Sequence, residues 1–68
     1  MENIIKLREQ MATLATEARS QLDTITDATD SSRAKEIEAR FDAIMVDHDK
    51  IGASVEREVK LADAEARA

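Results

Sequence analysis

Apolar residues recur at steps of three and four in two segments of this chain, and seven small or polar residues separate them. In the first segment Ile4, Leu7, Met11, Leu14, Ala18 and Ile25 keep the spacing, with Gln21 in the one missing place and Leu22 beside the stripe. In the second, Ile37, Phe41, Ile44, His48, Ile51 and Val55 repeat the same steps, after which the stripe drifts to Val59, Ala62 and Ala66. Such a pattern is the a/d seam of a coiled coil, and the drift approaches an eleven-residue repeat. Alternation of the strand kind appears nowhere over a useful length.

The intervening Thr26-Asp27-Ala28-Thr29-Asp30-Ser31-Ser32 contains neither Gly nor Pro. It is nonetheless a run of poor helix formers, several of which can cap a new helix with a side-chain oxygen. The chain is therefore expected to be all-α: an antiparallel two-helix hairpin, a coiled coil, in one domain over 1–68. A helix is predicted over about 2–26, a polar turn over about 27–31 and a second helix over about 32–66. Folded about Ser31, the seams pair Ile25 with Ile37, Leu22 with Phe41, Ala18 with Ile44 and Leu14 with His48. Further along, Met11 meets Ile51, Leu7 meets Val55 and Ile4 falls beside Val59. Acid-before-base pairs at i,i+4, namely Glu2→Lys6, Glu36→Arg40, Glu56→Lys60 and Asp63→Arg67, support the outer faces.

Composition narrows function by exclusion. With no cysteine there is no disulfide, no thiolate metal site and no cysteine nucleophile, and the single His rules out a three-His metal site. Aromatic residues make up 1% of the chain, too few for a base-stacking platform, and the net charge of −5 disfavours nucleic acid and anionic membrane as partners. The start, Met1-Glu2-Asn3-Ile4-Ile5-Lys6, has none of the marks of a signal peptide, and the longest apolar run is Ala43-Ile44-Met45-Val46. The expectation is a soluble, intracellular chain.

A single seam is a small core. Ile5, Ala12, Ala15, Met45, Val46 and Leu61 lie off it and offer a second stripe, and the second helix runs past the first, leaving Leu61, Ala62 and Ala66 unpaired. Self-association into a helical bundle is expected. The residues assigned to the core and oligomer seam are Leu7, Met11, Leu14, Leu22, Ile25, Ile37, Phe41, Ile44, Ile51 and Val55, with Phe41 as the largest anchor.

Chemistry finds little foothold. His48 sits between Asp47 and Asp49, but its i±4 neighbours are Ile44 and Gly52, so no metal ligands share its face. It reads as a polar residue at an a position that fixes register, and as a pH-sensitive position, since an ordinary imidazole titrates near ~6.5. Gly52, inside the second helix, costs about 1 kcal/mol relative to Ala and serves either a close helix approach or a bend. The pairs Glu36/Glu38 and Asp47/Asp49 point to different faces, and Thr13, Thr16, Ser20 and Thr24 have no basic partner to activate them. No catalytic residues, cofactor or metal are assigned, and the chain is not read as an enzyme.

The wording of the stripes carries a resemblance. Ile4-Ile5-Lys6-Leu7-Arg8-Glu9-Gln10-Met11-Ala12, then Glu17-Ala18-Arg19, then Glu38-Ala39-Arg40-Phe41-Asp42-Ala43-Ile44-Met45 resembles the N-terminal scaffolding (delta) domain of tailed-bacteriophage major capsid proteins. The resemblance covers about Ile4 to Leu61. Where that family commonly opens its second helix with Leu-Thr or Leu-Ser and an acidic run, Asp30-Ser31-Ser32-Arg33-Ala34-Lys35 stands here. It implies an assembly guide that projects into the procapsid interior, formed in the host cytoplasm. Such a guide associates with neighbouring copies, works beside the capsid shell domain and is removed by a phage maturation protease. It also implies either an excised domain or a separately made scaffold. The competing readings are a free-standing coiled-coil adaptor or dimerisation module and an acidic DNA mimic; basic residues interrupt the carboxylates too often for the latter.

Overall fold

Helices are what the stripes demand, because only a 3.6-residue turn brings residues three and four apart onto one face. The computed structural model describes residues 2–67. Within them α1 spans Glu2–Asp23 and α2 spans Ser31–Arg67, and the two pack against one another as an all-α helical hairpin without strands. The particle measures 58 × 14 × 13 Å. At about 1.5 Å per residue α2 alone accounts for nearly all of that length, so α1 lies along part of a longer rod.

The first helix stops at Asp23, about three residues short of the end expected from its stripe. The cause is local competition for carbonyls. Thr24 Oγ1 donates to the Gln21 carbonyl at 2.7 Å while the Thr24 amide reaches the same oxygen at 3.2 Å. The Ile25 amide then bonds Leu22 O at 3.0 Å, so the last turn tightens to i→i+3 bonds and ends. Ile25 consequently belongs to the connector, although it stays half-buried.

Threonine hydroxyls hold the connector together. The Thr26 amide donates to Thr29 Oγ1 at 2.9 Å, the Ala28 amide to Thr26 Oγ1 at 3.2 Å and the Thr29 amide to Thr26 O at 3.0 Å. Among the described residues none has a positive φ, which is why the reversal manages without glycine. Of the several possible caps the fold uses Asp30, whose Oδ1 accepts the Arg33 amide at 2.8 Å as its carbonyl accepts the Ala34 amide at 2.9 Å.

The register follows from one close approach: Met11 packs on Gly52, its Cε 3.1 Å from the place a Cβ there would occupy. Arg8 shares a groove with Val55 and Glu56, and Gln10 and Leu14 share another with Asp47 and Ile51. Followed at equal rise along both helices, this brings Asp23 level with about Arg40. The first turns of α2 therefore extend past the level at which α1 ends, and the connector spans the same stretch. Ile37, in those turns, is the most buried side chain at 2% exposure. At the opposite end α2 outruns α1, and residues 61–67 are all exposed.

Among the i,i+4 pairs read from the sequence, Asp63 and Arg67 close at 3.1 Å. Glu36 reaches back to Arg33 at 3.0 Å instead of forward to Arg40, and Glu56 and Lys60 form no ion pair. The Glu2 side chain lies outside the described residues. Arg19 and Asp23, at 3.3 Å, make a pair that offsets an acidic residue at the carboxyl end of α1. Removing the cap with Asp30→Ala should lower unfolding stability by about 1 kcal/mol in a urea titration, with the loss seen as reduced helicity at the start of α2.

Candidate functional site

A two-helix seam has no layer above it, and its burial pattern shows the consequence. Of the ten seam residues assigned from the sequence, only Ile37 and Val55 are buried, at 2% and 8% exposure. Leu7, Met11, Leu14, Leu22, Ile25, Phe41, Ile44 and Ile51 are half-buried. Phe41 is thus not the tightest anchor; its ring is too large for a seam open on both sides to enclose. The two other buried residues are Ile4 and Ala18, at 6% and 3%. Both stand on the same three-and-four spacing, which already placed them in the stripe of the first helix.

The off-seam apolar residues do not form the single second stripe expected of them. Ile5, Ala12 and Ala15 lie on α1; on α2 Met45 borders the seam and is half-buried. Val46, one residue on and about 100° around, points to the opposite side of α2. Ile5, Val46, Val59 and Leu61 are exposed at 56%, 53%, 41% and 57%. Three and seven residues past Val59, Ala62 and Ala66 are exposed as well.

Two open grooves run along the sides of the hairpin among the described residues. Lys6, Gln10, Thr13, Leu14, Asp47 and Ile51 line one side. Arg8, Val55, Glu56, Val59, Lys60 and Asp63 line the other. Neither encloses a substrate, and no group of three or more His, Asp or Glu among the described residues is placed to hold a metal. His48 lies in the seam with its side chain 23% exposed, and its Nδ1 donates to Asp49 Oδ1 at 3.0 Å. Chemically the arrangement offers open grooves lined by apolar and charged side chains.

Gly52 is explained by Met11. Its missing side chain is what lets the thioether lie close to the α2 backbone, so the residue serves the close approach of the two helices. The atom a new Cβ would meet is the far end of a flexible side chain, and Met adapts readily. Gly52→Ala should therefore raise stability by roughly 0.5–1 kcal/mol through helix propensity, measured by thermal unfolding. Ile37→Ala should cost about 2–5 kcal/mol, whereas Phe41→Ala, starting from a half-open site, should cost less, about 2 kcal/mol. The order of the two in a urea series tests where the core sits. Set against family models, curated proteins and solved structures, the chain matches none of them.

Proposed function

We propose that this chain is the scaffolding (delta) domain of a tailed-bacteriophage major capsid protein. In that role it guides procapsid assembly by coiled-coil self-association and is later removed by proteolysis. The observation that carries the reading is the half-open seam. Eight of its assigned side chains remain partly in contact with water, and four large aliphatic side chains stand exposed beyond it, so folding alone leaves apolar surface for further copies. The similarity of the helix wording to the delta domain adds the capsid context. Individually weak contacts repeated over many copies suit such a guide, because avidity orders the assembly while each contact stays reversible. A soft connector, closed by exposed threonine hydrogen bonds, suits a part that a maturation protease must later open.

The second reading, a free-standing coiled-coil adaptor or dimerisation module, rests on the same seam and differs only in partner. The two separate when the chain is fused ahead of a phage capsid shell protein stripped of its own delta segment. Restored closed procapsids in electron micrographs are the expected result. A fusion that self-associates in sedimentation yet leaves the shell protein in open fragments or aggregates would support the adaptor.

A further inference from the structure

Resting on the self-association just proposed, we infer that one particular side of the hairpin is the contact for a second copy: the side bounded by Arg8 and Arg19 on α1 and by Glu38, Glu56 and Asp63 on α2. The charges on this side lean one way on each helix, although Lys60 of α2 also lines the groove and Arg19 and Asp63 are already paired within their own helices, with Asp23 and Arg67. On α1, Arg8, Ala12, Ala15 and Arg19 fall within an arc of about 60°, and they comprise two cations with two methyl groups between them. On α2, the three acids share a narrow arc with Met45 and Gly52. Arg8 lines the same groove as Glu56 and Asp63, so the two edges face one side of the molecule. Along the other side the signs alternate, with Lys6 and Glu17 on α1 and Arg40, Asp47 and Glu58 on α2.

A face with a cationic helix beside an anionic helix is complementary to itself. A two-fold axis parallel to the helices sets α1 of each copy against α2 of the other, antiparallel and at unchanged height, as an isologous contact requires. Arg8 then comes level with Glu56 of the second copy. Ala12 and Ala15 come level with the stretch between Met45 and Gly52 of that copy, small residues against a glycine with a flexible thioether to fill the remaining space. The product is an antiparallel four-helix bundle, and it covers the open flank of the seam next to Met11 and Phe41. Arg8 and Glu56 are both exposed, and among the described residues neither has an ion partner within its own chain.

Sedimentation equilibrium on the 68-residue chain tests this, with circular dichroism confirming helicity of each variant. Arg8→Glu and Glu56→Arg should each weaken association on the order of tenfold or more, about 1.4 kcal/mol. An equimolar mixture of the two should recover wild-type affinity, because every contact between copies again joins unlike charges. Within each variant chain the like pair remains, so repair of an intramolecular contact would not produce this recovery. Lys6→Glu, on the other side, should leave association unchanged. Wild-type association with unaffected Arg8→Glu and Glu56→Arg variants overturns this interface and leaves the scaffolding reading intact, as does weakening by Lys6→Glu in their place. A wild-type chain that stays monomeric at every concentration overturns both.

Discussion

Two helices in contact share one line of side chains, and nothing lies over that line. A bundle of three or four helices encloses its core from all directions, whereas a hairpin leaves each seam residue open on two flanks. This explains why only Ile4, Ala18, Ile37 and Val55 are buried while larger neighbours such as Phe41 and Leu14 remain half-open. Size alone does not decide burial: Ile4 and Ile37 are enclosed, Leu14 of like volume is not, and Phe41, the largest, stays half-open. The same openness gives the molecule its function in our reading, since surface left over from folding is surface available to another copy.

The connector shows how the chain compensates where α1 ends. Beyond Asp23 there is no facing helix for the first turns of α2, and an exposed Ile37 there would be costly. The segment from Thr24 to Asp30 spans that stretch, held by hydroxyl and carboxylate acceptors close in sequence. Each bond is local and each partner is a residue type that competes with the helical backbone for hydrogen bonds. The break is thus a reversal that needs no residue with a positive φ.

Much of this was legible in the residues. The spacing of Leu7, Met11 and Leu14 and of Ile44, Ile51 and Val55 prescribes two helices with one apolar side each, and the polar run prescribes the break. Less legible was the helix end at Asp23, because the apolar stripe continues through Ile25 while the Thr24 hydroxyl already donates to Gln21 O. Spacing measures which face a residue would occupy if helical; it is blind to a hydroxyl that ends the helix. The purpose of Gly52 was equally open between a bend and a close approach, and only the position of Met11 across the seam decides it.

Periodicity by itself determined that the chain is helical and that it doubles back once, because those properties repeat along the chain and need only the geometry of one helix. Tertiary structure decided which of the seam residues are enclosed and that Met11 lies on Gly52. These depend on where two helices lie relative to each other, a relation set by packing distance and rotation about each axis.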